Sequence, residues 1–328
     1  MRKKFVSEAK FTTRNLSRRT RAYLTWLLAF ALLGWVIAGC AGLQAEIQGS
    51  TEPPPSPTIR DSAIGEILST PTARVTLAPD AWKGMPVIPQ VSETAREIYQ
   101  RGFMSGNDPH AFSKVGDCQN VPSMFMGSFD DPGQFSLGDE YSYLQDTIDW
   151  FAGSFSRESQ AVRRGYNAAS ILSPFWADPD ECVSGETPLE CEYRINKPII
   201  AIISLETWWE KEPESYEEYL RAIIEITIDH GVVPILTTKA DNLEGDHRIN
   251  IAIFMLAQEY DIPLWNFWKA VQPLPAHGLM EDGFHLTFAA NFYDDPERMK
   301  SAWPWRNLTA LQSLDAVWTS ISAPRQQP

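Results

Sequence analysis

Residues 111–120 read AFSKVGDCQN. Phe112 and Val115 are apolar, Gly116-Asp117 ends the run, and Gln119-Asn120 is turn-prone. The pattern predicts a short strand that delivers Cys118 to the carboxyl edge of a sheet, where open α/β sheets place their ligand sites. A thiol nucleophile at that edge needs a base. Residues 282–285, DGFH, supply the fitting pair. An Asp three residues before a His holds one imidazole nitrogen while the other faces the nucleophile.

The sequence between these two points alternates strand and helix signals. Leu144, Ile148, Phe151 and Phe155 recur at helical spacing. Residues 199–205, IIAIISL, are apolar on both faces, as a buried parallel strand requires. Ser215 with Glu218 predicts a capping box at the start of the next helix, and Gly231 its end. Residues 232–238 form the next strand, followed by a helix striped by Ile249, Ile253, Leu256 and Tyr260 and capped by Asp246. A short strand follows at residues 263–267, and a closing helix starts at Asn307. Such alternation predicts an α/β fold with a mostly parallel sheet covered on both faces.

An early Gly-Asp block carrying the nucleophile and a late Asp-x-x-His resemble the SGNH (GDSL-type) hydrolases, over residues 111–321. The resemblance implies a flavodoxin-like three-layer α/β/α fold and cleavage of ester bonds. Cys118 would be the nucleophile in place of the family's Ser, His285 the base and Asp282 its orienting acid. The resemblance further implies an oxyanion pocket beside Asp117, begun by the Cys118 amide, with Gly165 as the second-block glycine. At the third block, where the family has Gly-Thr-Asn, this chain has Glu206-Thr207-Trp208. Trp208 thus replaces the amide donor, and losing one such donor typically costs about 10²–10³ in turnover. Asn242, in the loop after the fourth strand, is a further candidate for the pocket wall. The alternative from a different class is a catalytically degenerate scaffold that binds carbohydrate or envelope components.

The amino-terminus reads as a targeting segment. Residues 1–39 hold eight Lys and Arg against Glu8, a net of +7, so the rest of the −14 chain carries −21. That acidity disfavours nucleic acid as a partner. The apolar run at residues 22–38 ends in Ile37-Ala-Gly-Cys40, which resembles a bacterial lipobox with Cys40 as the lipidated residue. An uncleaved signal anchor is the alternative, since a span needs about 20 apolar residues. Either version predicts export and attachment to the outer face of the bacterial cytoplasmic membrane. Residues 40–90, rich in Pro, Ser and Thr, predict a tether, and residues 91–328 the folded domain. In an oxidising compartment Cys182 and Cys191 suit a small disulfide loop, leaving Cys118 as the thiol; pairing of Cys118 with either is the alternative. No cofactor is expected, and the spacing of Asp241, Glu244, Asp246 and His247 predicts no metal. Trp265, Trp268, Trp303 and Trp305 lie near predicted edge loops, where exposed rings would stack on a glycan ester substrate, or else pack the core.

Overall fold

The computed structural model describes residues 78–205 and 213–323. Cys40, the targeting segment, Thr207 and Trp208 lie outside the described residues, as does all but the end of the expected tether. After a turn at Ala81–Gly84, the chain runs α1 (Glu93–Met104), β1 (Asp108–Gly116), β2 (Phe135–Ser136), α2 (Gln145–Trp150), α3 (Ala168–Ile171), α4 (Pro188–Asn196) and β3 (Pro198–Ser204). It continues with α5 (Pro213–Asp229), β4 (Val233–Thr237), α6 (Arg248–Glu259), β5 (Leu264–Trp265), α7 (Phe267–Val271), β6 (Asn291–Phe292) and α8 (Ala302–Ser322).

The main sheet is parallel throughout, in the order β1-β3-β4-β5. A single parallel bridge joins Gly116 to Val162 on the free side of β1. With the Val162 segment, rather than β2, standing beside β1 on that side, the main sheet has the doubly wound arrangement in which β1 lies between a neighbour reached before β3 and β3 itself. The strand order therefore reverses between β1 and β3, which marks the place where such sheets hold ligands. All seven residues of β3 are buried, as a strand covered on both faces must be. α1 and α8 pack on each other and on the sheet, as do α5 and α6, completing a three-layer α/β/α fold.

Several boundaries differ from the sequence reading. Packing begins upstream of residue 91: Trp82 is fully buried, and Asn266 donates to the Trp82 and Val87 carbonyls at 2.7 and 3.0 Å. α5 starts at Pro213, so Ser215 lies inside the first turn; proline suits that end because its missing N–H needs no partner there. α6 starts after His247, and Asp246, one residue further out, accepts both the Arg248 backbone amide at 3.2 Å and its guanidinium. α8 starts at Ala302 rather than Asn307, with Pro304 tolerated in its first turn. The helix expected across Leu144 to Phe155 ends at Trp150. There the Asp130 carboxylate accepts the Gly153 and Ser156 amides at 2.7 and 2.6 Å, turning the chain so that Phe151 and Phe155 are both buried.

A disulfide joins Cys182 to Cys191, tying the loop before α4 to that helix. α4 carries a complete capping box, Thr187 with Glu190, behind Pro188. Among the described residues no helix is long and apolar enough to cross a membrane.

Candidate active site

β1 ends at Gly116, and the fully buried Asp117 caps the tight turn Cys118–Asn120, its Oδ1 accepting the Gln119 amide at 2.9 Å. Asn120 Nδ2 donates to the Ser204 carbonyl at 2.7 Å, stitching this turn to the end of β3. Cys118 is therefore held at the switch point between β1 and β3. Its thiol is half-buried and not in a disulfide.

Asp282 and His285 occupy a loop whose base is closed by a Leu279–Leu286 bridge and by the Met280 amide donating to the His285 carbonyl at 2.7 Å. Asp282 Oδ1 accepts the Phe284 and His285 amides at 3.0 and 2.9 Å, and Oδ2 meets His285 Nδ1 at 2.5 Å. The imidazole hydrogen bond, with the two amides behind it, holds the Asp282 carboxyl down to about 2. With Nδ1 engaged, Nε2 is the nitrogen presented outward, on a ring 60% exposed. The loop is fastened to α8 through Thr287, whose carbonyl accepts the Ala302 and Trp303 amides at 3.1 Å each.

The chain beyond Cys118 and the chain beyond His285 meet on Asn307, a buried residue of α8. Its Oδ1 accepts the Met126 amide at 2.7 Å, and its Nδ2 reaches the Met124 carbonyl and Asn291 Oδ1, both at 3.1 Å. Asn291 in turn donates to Ser128 Oγ at 2.8 Å. Met126 pays a conformational cost for this, at φ 60° without being glycine. A small cleft of about 100 Å³ opens against the same residues. The sequence marked Asn307 only as a helix start and Asn291 not at all, since a buried partner many residues away leaves no periodic signal.

Arg306 is a further residue that sequence reading missed. It is fully buried, donates to Ser204 Oγ at 2.8 Å, and its guanidinium carbon lies 4.9–5.8 Å from the ring centres of Phe125, Phe267, Trp265 and Trp303. Trp265 and Trp303 thus belong to a buried cation–π cluster behind the switch point, not to an exposed sugar-stacking surface.

The remaining candidates are scattered more widely. Gly165 sits in an exposed turn at φ +88°, just past the Val162 bridge to β1. Asn242 spends its side-chain oxygen on the His247 amide at 2.8 Å, closing its own loop. Asp241 and Glu244 hold the buried Lys239 ammonium at 2.7 and 2.6 Å. Burial alone would lower that lysine, but the two carboxylates outweigh it and raise it, so it stays charged.

No protein-family model matches this chain, and no curated protein matches it. A solved structure described as the crystal structure of TesA is similar at 15% identity, covering 63% of this chain and 99% of its own, with a TM-score of 0.39.

Proposed function

We propose that this chain is an SGNH-like ester hydrolase with a thiol nucleophile. The observation that carries the reading is the Asp282–His285 pair: Nδ1 is fixed by the carboxylate at 2.5 Å, and the ring is exposed on a loop tied to the wall that also holds the chain after Cys118. In this reading His285 Nε2 takes the Cys118 proton, and the thiolate attacks the ester carbonyl carbon. The C–O bond breaks, and the alcohol leaves with the proton from His285. Water, deprotonated by His285, then attacks the thioacyl carbon, releasing the acid and restoring the thiol. Asp282 fixes the tautomer and stabilises the imidazolium. The amides of Cys118 and Gly165 are the proposed oxyanion donors. The enzyme would work outside the cytoplasmic membrane, attached through Cys40 or an uncleaved signal anchor.

The test is hydrolysis of p-nitrophenyl acetate by the full chain beside Cys118→Ala and His285→Ala. A loss of about 10² or more in both variants is expected. Iodoacetamide should inactivate the wild type, and do so more slowly in His285→Ala. Equal turnover in all three chains would remove the thiol and imidazole from the chemistry.

A further inference from the structure

We propose that Glu192 is a positioning residue for the reaction: its buried carboxylate holds residues 157–162 against β1 and so sets where the Gly165 amide stands. The role in turnover rests on the hydrolase reading; the anchoring does not. Between α2 and α3 the chain forms no strand, and one isolated bridge, Gly116 to Val162, joins it to the sheet. Beside that bridge the Gly116 amide donates to the Ala161 carbonyl at 3.0 Å. So few ladder bonds leave the segment to be fixed by side chains.

Glu192 gathers the contacts that do this. It stands on α4, fully buried, and its carboxylate accepts from three groups. Oε1 takes the Ser113 hydroxyl at 2.5 Å and Arg157 Nη1 at 2.7 Å, and Oε2 takes the Gln160 amide at 2.8 Å. Arg157 Nη2 in turn donates to the Phe112 carbonyl at 2.7 Å. One carboxylate thus joins α4, β1 and the segment that leads to Gly165, on the strand that ends two residues before Cys118. Glu192 grips the amide of Gln160 while β1 grips the carbonyl of Ala161, the next residue. The helix beneath is itself pinned, since the preceding residue, Cys191, is disulfide-bonded to Cys182. A buried carboxylate is costly unless it is paired and hydrogen-bonded, and an apolar side chain would fill the space without that demand. The donors it gathers account for it. The Gly165 turn, three residues past the bridge at φ +88°, has open space where a Cβ would stand, so no neighbour wedges it and the anchored chain leading into it sets its place.

The test uses the full chain with Glu192→Ala and with Glu192→Gln, which keeps an acceptor for the Gln160 amide. Turnover of p-nitrophenyl acetate is set beside alkylation of Cys118 by iodoacetamide. Alkylation displaces iodide from carbon and forms no oxyanion, so it reports the thiolate and its base alone. Since losing an oxyanion donor costs about 10²–10³ in turnover, Glu192→Ala is expected to lower kcat by about 10² at unchanged KM. Its alkylation should stay within about twofold of wild type, and Glu192→Gln should recover at least tenfold of the lost turnover. Turnover and alkylation falling together, or neither changing, overturns the positioning role. Amide hydrogen exchange in the wild type needs no variant to fold: Gln160 should exchange as slowly as the amides of β3, although it lies in a loop. Exchange at the rate of an exposed loop overturns the anchor. Turnover that survives Cys118→Ala sinks the hydrolase reading, while slow Gln160 exchange in that same chain still supports the anchor.

Discussion

Asn120 Nδ2 donates to the Ser204 carbonyl at 2.7 Å and so bridges the carboxyl ends of β1 and β3, within the turn that Cys118 begins. Gly116 makes this approach possible. A Cβ there would fall 2.0 Å from Asn120 Nδ2 and 2.3 Å from the Ser204 carbonyl oxygen. Glycine is needed at this point for space, since Gly116 itself keeps an ordinary negative φ. Gly116→Ala is expected to destabilise the chain by about 1–3 kcal/mol through overpacking. Asn120→Ala is expected to cost about 1–3 kcal/mol by leaving a buried carbonyl without its donor. Because both changes act on one contact, the double variant should lose less than the two losses added. Urea-unfolding midpoints of the three variants check this; strict additivity would show that the two residues act independently.

The Asp282 pair carries a pH signature. Its carboxyl ordinarily titrates at 3.8 and is held at about 2, first by the His285 hydrogen bond and then by two backbone amides. A depressed carboxyl favours the folded state fully above 3.8, and that contribution fades as pH falls toward about 2. Carboxyl ¹³C NMR should find the Asp282 midpoint near 2 and find it moved upward in His285→Ala. An unmoved midpoint would assign the effect to the amides alone. On the hydrolase reading, Asp282→Asn should also lower p-nitrophenyl acetate turnover by about 10² or more.

The fold was legible where local sequence and tertiary demand agree. Residues 199–205 are apolar in both registers, and only a strand buried on two faces uses such a run. The nucleophile turn was legible because Gly-Asp breaks the strand where the sheet needs an edge. Helix starts were less legible. At Pro213 and Ala302 the actual start is marked by proline or by nothing, while a plausible cap lies inside the helix. The polar interior was not legible at all. Asn307, Asn291 and Arg306 take their roles from partners more than a dozen residues away, and no spacing rule reaches that far.

Lys114 shows what the same blindness hides inside a strand. It lies on β1, fully enclosed, with Nζ donating to the Phe155 carbonyl at 2.6 Å. Burial, and then the neighbouring Arg157 charge, pull it down from 10.5 to about 7. Between pH 7 and 10.5 the unfolded chain therefore binds more protons than the folded one, so stability rises with pH across that window. Below pH 7 the full penalty of a buried charge is present. Lys114→Met is expected to stabilise the chain by about 1–4 kcal/mol at pH 6 and by less at pH 9.5. Urea unfolding at the two pH values decides it, and a variant with the wild-type pH slope would rule out Lys114 as the source.

Asn307 offers the sharpest test of how the two halves of the site are joined. One side chain holds the Met126 amide, the Met124 carbonyl and Asn291 Oδ1, and so couples the chain after Cys118 to the chain after His285. Asn307→Asp keeps the acceptor for Met126 but loses the donor to Met124 and Asn291, whereas Asn307→Leu loses both. Leaving the Met126 amide buried without a partner should cost about 1–3 kcal/mol, and Met126 would then be released from its positive φ. Asn307→Leu is accordingly expected to unfold at lower urea than Asn307→Asp at neutral pH. Amide hydrogen exchange in the leucine variant should quicken at Met126 and across residues 288–291 together, because both segments lose the same anchor. Faster exchange confined to Met126 would mean that Asn291 is held by Ser128 alone and that the two loops are not coupled through α8.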